Sequence, residues 1–363
     1  MDCKKGETKL KNIITLVLIV TLVLSGCVQK RILDDVNLET GSAYDYVDGK
    51  IRGTALVPVY LPDQAVENKT FTATSSLSRD FLRDVQRESS DPLVTGSLKV
   101  VLFGEQLAKK KGILDLMDTF QRDPSIGAGL YLAVTEGEAK DFIEGNYGER
   151  GNSVYLTNLI KHNMKTMDVP KTNLQRFLFD FNQLGKTPYL PTLKKFGKEQ
   201  IAITGISFFR YGRVVYSIPA EQMFFFKLLV DDYSQGTLKV TLNSERAAIE
   251  SIRSKHNFRL ISRDPLTIDI QLKVNAVLKE FSGIKVTPKQ IKEIENKVKV
   301  KIESECKDLI KNFKEKNIDP VGFGHFIKSK TRSFNFEKWQ TDYQHLKVNV
   351  HAHVTIMESG VIE

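Results

Sequence analysis

Alternating apolar and polar residues mark the last hundred positions of the chain. Between Leu266 and Ala276 every second residue is apolar, and the residues between them are polar. The same alternation returns between Leu346 and Ile356. Because successive side chains of a strand point to opposite faces of a sheet, each run predicts a half-buried strand of an antiparallel sheet.

Between these two strands lies the pattern of one long amphipathic helix. Thr287, Pro288 and Gln290 supply an N-cap, a proline at the first helical position and the glutamine of a capping box. The apolar residues that follow are spaced by three and four: Ile291, Ile294, Val298, Ile302, Cys306, Leu309, Ile310 and Phe313. This spacing predicts a helix over 288–316 that packs on the apolar face of the C-terminal sheet and carries lysine and glutamate on its outer face.

Strand and helix patterns alternate in the first half of the chain. The continuous apolar run at 98–103 predicts a buried strand, which leads into a helix that ends near 120. A second strand at 129–135 and a second short helix at 137–143 repeat the order. Two further helical stretches lie near 154–164 and 172–184. This alternation predicts a sheet covered by helices.

A segment rich in strand formers follows Pro188, Pro191 and Gly197, which mark a boundary. Residues 200–216 predict a β-hairpin that turns at Tyr211-Gly212, before a very apolar helix and one more strand. The whole pattern predicts an α+β fold of mixed β-sheets flanked by helices, in a body of three domains. Their predicted ranges are an N-terminal α/β domain at 27–192, a small middle domain at 193–262 and a C-terminal domain at 263–363.

The N-terminus has the pattern of a lipoprotein signal peptide at 1–26. Four lysines precede an apolar run of twelve residues at 13–24. The tetrapeptide Leu-Ser-Gly-Cys at 24–27 ends this run and has the pattern of a lipobox, the site at which a lipoprotein is lipidated and cleaved. An uncleaved signal anchor is the alternative, but a membrane-spanning helix needs about 20 residues. The pattern therefore predicts a diacylglyceryl group on Cys27, the first residue of the mature chain.

Composition and charge narrow the class of protein. With 41% hydrophobic and 27% charged residues, the 363-residue chain is neither disordered nor a multi-span membrane protein. Cleavage before Cys27 removes Cys3, four lysines and two acids, which lowers the formal net charge from +9 to +7. Only Cys27 and Cys306 then remain, so an intrachain disulfide framework is excluded, and Cys306 falls on an apolar stripe. For an exported protein, the acidic partner is a membrane surface rather than nucleic acid.

Few residues form a pattern that could carry chemistry. His351 and His353 could bind a metal from one face of a strand, but that face is polar throughout and predicts a solvated surface. Gly322-Phe323-Gly324 resembles a fragment of a phosphate loop, yet no strand precedes it, and we interpret it as a turn. The apolar run 223–226 is interpreted as core. We predict no catalytic residue, no cofactor and no metal site.

The chain resembles the Ger(x)C family, the C-subunit lipoproteins of bacterial spore-germination nutrient receptors. The residues that carry this resemblance are the lipobox at 24–27, the strand and helix start at 101–113, Arg122-Asp123-Pro124, the strand and helix start at 130–139, the run 317–324, Trp339 and Val348-Asn349-Val350. One departure is Val28-Gln29-Lys30, where the family commonly has Trp-Asp after the lipidated cysteine.

The resemblance implies a three-domain body with a non-enzymatic role at the spore inner membrane. It also implies two membrane-embedded partners, the A and B receptor subunits, in a complex that responds to small nutrients such as amino acids or sugars. Two alternatives stay open at this point: a free-standing extracytoplasmic lipoprotein that binds a small molecule, and a surface-anchored hydrolase.

Overall fold

The computed structural model describes residues 36–61, 66–75, 80–197, 199–232, 235–242, 245–283, 286–332 and 334–359, together with Thr15. Its strands are β1 (Asn37–Leu38), β2 (Gly41–Val47), β3 (Lys50–Tyr60), β4 (Val66–Ser75), β5 (Leu93–Val94), β6 (Val100–Gly104), β7 (Tyr131–Thr135), β8 (Tyr189–Phe196), β9 (Gln200–Arg210), β10 (Arg213–Pro219), β11 (Gly236–Leu242), β12 (Glu245–Arg263), β13 (Leu266–Phe281) and β14 (Lys347–Ser359).

The helices alternate with these strands in the first half and cluster near the C-terminus. They are α1 (Asp80–Gln86), α2 (Leu114–Arg122), α3 (Lys140–Ile143), α4 (Asn152–Thr166), α5 (Leu174–Asn182), α6 (Ala220–Val230), α7 (Pro288–Glu315), α8 (Phe323–Lys330) and α9 (Phe336–His345), with a π-helical turn at Leu107–Lys111. In the described part of the chain, no helix is long and apolar enough to cross a membrane.

A mixed sheet of eight strands organises the first half, in the order β10-β9-β8-β7-β6-β2-β3-β4. Strands β2, β6, β7 and β8 are parallel neighbours, and the remaining pairs are antiparallel. All five residues of β6 are buried, as the apolar run predicts. Val100 and Leu102 face one core with α4, while Val101 and Phe103 face a second core with α2 and α5. Helices therefore cover both faces of the sheet.

This sheet continues across the predicted boundary between residues 192 and 193. That position lies inside β8, which pairs with β7 on one side and with β9 on the other. The predicted hairpin is β9 and β10, joined at Tyr211-Gly212. The hairpin therefore extends the N-terminal sheet, and the division into three domains stays a prediction.

The predicted helix between residues 104 and 120 forms in two pieces. The Gly112 N–H donates to Leu107 O in the π-helical turn, at 2.8 Å. The next N–H, that of Ile113, donates to Gly212 O of the hairpin turn at 2.9 Å. The helix is interrupted here because the Ile113 N–H is bonded to the hairpin turn and not to a carbonyl of the preceding helical turn.

The C-terminal sheet has the order β11-β12-β13-β14 and confirms the predicted alternation. Ile268, Ile270, Leu272, Val274 and Ala276 are all buried in β13. However, β13 and β14 pair in parallel, with Ile268 opposite Val348, so this sheet is mixed and not wholly antiparallel. The physical reason is the connection, since a long crossover helix returns the chain to the same end of the sheet and makes its two flanking strands parallel.

Helix α7 is that crossover, and its predicted stripe forms the buried face. The buried residues are Ile294, Val298, Ile302, Cys306, Leu309, Ile310 and Phe313. Thr287 and Gln290 form the predicted capping box. Phe313 also packs on Phe208 of β9 and on Phe226 of α6, with ring centroids 5.0 Å and 5.7 Å away. The two sheets therefore share one aromatic core around the end of α7.

Part of the outer face of α7 binds the edges of the sheet and is not simply solvated. On β14, the Ala352 N–H donates to Glu303 Oε1 at 2.9 Å and the Ile356 N–H donates to Glu295 Oε1 at 2.8 Å. These amides point away from β13, so the two glutamate side chains supply the hydrogen-bond acceptors that a fifth strand would otherwise provide. Covering unpaired edge groups in this way protects a strand from pairing with another chain.

The opposite edge, β11, is bound by lysines of the same helix. Lys297 Nζ donates to Thr241 O at 2.7 Å, and Lys301 Nζ donates to Lys239 O at 3.3 Å. Glutamates therefore meet edge amides on one side of the sheet, and lysines meet edge carbonyls on the other. The predicted lysine and glutamate of the outer face therefore bind the sheet edges in part, and this contact depends on the width of the sheet, which the helix pattern alone does not contain.

Candidate functional site

A cavity lined by cationic side chains lies between α4, α5, α6 and β12. Its volume is about 670 Å³, and we call it the basic cavity. Six of its lining residues are basic: Lys161, Lys165, Lys171, Arg176, Lys227 and Arg253. Among the described residues that line it, none is acidic. The cavity therefore concentrates positive potential in one concave place.

Helix α4 and the segment after it position three of these lysines. Lys161 and Lys165 are four residues apart on α4, so both side chains lie on one face of the helix. Lys171 follows, and its backbone N–H donates to Asp231 Oδ2 at 2.7 Å. Tyr189 OH donates to Lys171 O at 3.2 Å. These bonds fix the backbone of the segment while the three lysine side chains stay exposed.

Lys227 has a structural role at the wall of the cavity. Its side chain is only 2% exposed, and Nζ donates to Met164 O at 3.1 Å and to Met167 O. These carbonyls lie at the C-terminal end of α4, where a cation is favoured. Burial lowers the pKa of Lys227, and the nearby Asp231 opposes that shift.

Arg176 brings a guanidinium group to the cavity from the first turn of α5. Its Nε is buried and has no hydrogen-bond partner among the described residues. Asp231 and Asp180 act on the charge of Arg176, and Asp231 and Asp168 act on that of Lys227, but none of these three acids lines the cavity. Burial raises the pKa of Asp168 to about 6 and also raises the pKa of Asp231. The cations at the surface of the cavity are thus incompletely balanced, and the site is suited to hold an anion.

A second polar arrangement lies at the start of α8. Asp319 is buried, and its carboxylate accepts hydrogen bonds from the N–H groups of Gly322, Phe323 and Gly324 at 2.8, 3.0 and 2.8 Å. Thr187 holds the Asp319 backbone through two further bonds, at 2.9 and 2.8 Å. Gly322 has left-handed backbone before α8, but Phe323 and Gly324 are the first two residues of that helix, so the turn interpretation is wrong for them and the Gly322-Phe323-Gly324 segment is a helix start. Its three amides already bind a carboxylate of the chain itself, so they do not form a phosphate loop.

The start of α8 lies against the loop that follows α5, at backbone distance. The His325 N–H donates to Gly185 O at 3.1 Å. A Cβ atom added to Gly185 would lie 2.6 Å from the Gly324 Cα, and one added to Gly324 would lie 2.6 Å from Trp339 Nε1. We call this contact the Gly185–Gly324 junction. It joins the loop that leads into β8 to the segment that follows α7.

The predicted lipidation residue, Cys27, lies outside the described residues and stays a prediction. Cys306 is fully buried, and its thiol donates to Phe225 O at 3.7 Å. Burial raises the pKa of this thiol far above its usual range. The prediction that Cys306 lies on an apolar stripe is therefore confirmed, and so is the core interpretation of residues 223–226, all of which are buried.

The two candidate metal-binding histidines are exposed on β14. His351 lies opposite Gln271 of β13 and His353 lies opposite Lys273, neither of which is a common metal ligand. Within the part of the chain that the structure describes, no group of three or more His, Cys, Asp or Glu side chains is placed to hold a metal ion.

Sequence reasoning missed the basic cavity. Its one local signal is the pair Lys161 and Lys165, because like charges four residues apart destabilise a helix. The other basic residues come from the segment after α4 and from α5, α6 and β12, and their positions meet only in the folded chain.

Two family models together match most of the chain. Residues 29–195 match the model of the spore germination protein N-terminal domain. Residues 204–360 match the model of the spore germination B3/GerAC-like C-terminal domain. The junction between these two matches falls beside the β8–β9 turn of the first sheet.

Individual relatives match over nearly their full lengths. The spore germination protein GerQC of Bacillus cereus is 32% identical over 96% of this chain and 99% of its own. The putative spore germination protein YfkR of Bacillus subtilis (strain 168) is 22% identical over 95% of this chain and 96% of its own. The crystal structure of the GerBC protein shares the fold, with a TM-score of 0.59 at 17% identity over 87% of this chain and 97% of that one. The chain therefore belongs to the Ger(x)C family of spore germination proteins.

Proposed function

We propose that this chain is the lipid-anchored C subunit of a spore nutrient-germinant receptor, with a role in assembly or signalling and not in catalysis. The observation that carries the proposal is the match to GerQC, which extends over both halves of the body and nearly the full length of each chain. A match of that extent is what a shared architecture and a shared place in an assembly would produce.

The proposed partners are two membrane-embedded receptor subunits, A and B. The proposed location is the outer face of the cell membrane, which becomes the inner membrane of the spore. The predicted lipobox at 24–27 supports this location. A diacylglyceryl group on Cys27 would hold the body at the same membrane surface at which such partners are exposed.

A free-standing extracytoplasmic lipoprotein that binds a small molecule is the second candidate. The basic cavity favours it, because concave sites of this size are typical of small-molecule binding. The two candidates differ in what loss of the gene does. Only the receptor subunit is required for spores to respond to a nutrient.

Deletion of the gene tests the receptor role. In a strain that lacks the other nutrient receptors, we expect deletion spores to lose the response to at least one amino acid or sugar. Their response to a non-nutrient trigger should be unchanged, because that trigger does not pass through the receptor. The measurement is the fall in optical density after each trigger is added. Normal germination of the deletion spores with every nutrient would refute the receptor role.

Replacing Cys27 by alanine tests the anchor. We expect C27A to incorporate no radiolabelled fatty acid and to leave the membrane fraction of lysed cells, since each buried methylene contributes about 0.8 kcal/mol of membrane affinity. C3A is the matched control, because Cys3 lies in the predicted signal peptide and its loss should leave labelling intact. Labelling of C27A at the wild-type level would contradict the assigned lipidation residue.

A further inference from the structure

We propose that the basic cavity binds a phosphate group, carried either by a small soluble molecule or by a lipid headgroup. The proposal goes beyond the receptor role and does not depend on it. It concerns a property of the purified chain, so failure of a germination assay and failure of phosphate binding are separate results.

The first supporting observation is a set of unbalanced charges. Lys161, Lys165 and Lys171 are exposed, and none forms a salt bridge with a carboxylate in the described ranges. The pair on α4 is also placed four residues apart, where two cations repel each other. A bound polyvalent anion would turn this unfavourable arrangement into a favourable one.

The second observation is the buried donor of Arg176. Its Nε has no partner among the described residues, although buried polar groups are nearly always hydrogen-bonded. A guanidinium group donates two parallel hydrogen bonds to an oxyanion, which makes arginine well suited to a phosphate or carboxylate. Several lysines beside two arginines favour a dianionic phosphomonoester, because it neutralises more charge than a single carboxylate.

The backbone at the start of α5 is not available for this anion. The Leu174 N–H donates to Leu130 O at 2.9 Å, and the Gln175 N–H donates to Ala128 O at 3.2 Å. The Arg176 N–H donates to Asn173 Oδ1 at 2.8 Å. Side chains must therefore hold the phosphate, so substitutions of lysine and arginine test the site directly.

The remaining walls of the cavity leave room for an organic part of the ligand. Tyr131, Met164 and Ile252 give it apolar surface beside the cations. Its volume of about 670 Å³ is within the usual range of small-molecule sites, about 300–1,000 Å³. A phosphate with an attached small organic group would fit both the charged and the apolar lining.

The test is titration calorimetry of the full chain in detergent at low ionic strength, with inorganic phosphate as the probe. We expect saturable binding by the wild type and binding about tenfold weaker in K161A/K165A, since charge-assisted hydrogen bonds to the anion are lost. The matched control is K292A/K299A, which removes two exposed lysines of α7 that do not line the cavity. Its affinity should stay within about twofold of the wild type, because distant exposed charges are screened.

A second variant and two further ligands complete the test. R176K keeps the charge but loses the paired donors, so we expect it to weaken binding as well. Glycerol phosphate and a short-chain phosphatidic acid, both phosphomonoesters, distinguish the sources: tighter binding of the first supports a soluble phosphate, and tighter binding of the second supports a headgroup. No saturable phosphate binding, equal weakening in the control, or tighter binding of succinate than of phosphate would overturn the proposal.

Discussion

Substitution of Gly185 by alanine is expected to destabilise the protein by about 3–5 kcal/mol. The added Cβ would lie 2.6 Å from the Gly324 Cα and 2.9 Å from the His325 backbone nitrogen. Both are backbone atoms, so no side chain can rotate away. The Gly324 backbone is also held by the hydrogen bond from its N–H to Asp319, at 2.8 Å, so it cannot easily shift away from the added Cβ.

The control for G185A is G148A. Gly185 and Gly148 have the same φ of +75°, but nothing lies within 4 Å of a Cβ added to Gly148. G148A therefore carries only the strain of the left-handed backbone, about 1–2 kcal/mol. The difference between the two variants measures the Gly185–Gly324 junction alone. Equal losses of stability would show that the junction does not constrain the fold.

Urea-induced unfolding of the full chain in detergent gives both free energies. Trp339 is the only tryptophan and is 5% exposed beside Gly324, so its fluorescence reports on the junction itself. Far-ultraviolet circular dichroism is the second probe, since it follows the helices and sheets as a whole. Coincident transitions by both probes would establish that the measured difference belongs to global unfolding.

Substitution of Asp319 by alanine is expected to cost at least about 3 kcal/mol, because three buried backbone N–H groups lose their acceptor. D319N should cost less, since its Oδ1 can still accept from Gly322 and Phe323. The matched control is N335A at the start of α9, where the capping side chain is exposed and accepts one hydrogen bond among the described residues, from the Lys338 N–H. An exposed cap is worth about 1 kcal/mol. A D319A effect no larger than that of N335A would contradict the role assigned to the buried carboxylate.

The cost of D319A should also depend on pH. Burial outweighs the three amide donors and raises the pKa of Asp319 from 3.8 to about 6. The folded state therefore binds this proton more tightly than the unfolded state, and its contribution is present at low pH and lost as the pH rises through 6. The difference in unfolding free energy between wild type and D319A should be larger at pH 4.5 than at pH 7.5, whereas N335A should show no such trend.

The parts of the fold that were predicted have a local cause. The alternation between Leu266 and Ala276, and the apolar stripe that includes Cys306, state which face of a strand or helix is buried without reference to any other segment. By contrast, β12 was missed because register shifts interrupt its alternation and because no residue beyond Ser254 is buried in it. Beyond Ser254 its apolar side consists of Phe258 and Leu260, which are only partly buried and too few to give a clear hydrophobic period.

Helices α8 and α9 were missed for a different reason. They are short, and α8 begins within Gly322-Phe323-Gly324, which we interpreted only as a turn. The Asp319 carboxylate caps that helix start. The capping aspartate precedes the helix by more than the usual one position. Its role depends on the loop that Thr187 holds in place, 132 residues away in the chain.

The sequence by itself determined the α+β class, the long helix, the family resemblance and the predicted anchor at Cys27. Each of these depends on residues close together in the chain, where periodicity, capping and motif spacing act. Only the tertiary structure decided the parallel pairing of β13 with β14, the Gly185–Gly324 junction and the basic cavity. These features arise from contacts between distant segments, and burial and charge density at such contacts depend on which surfaces the folded chain brings together.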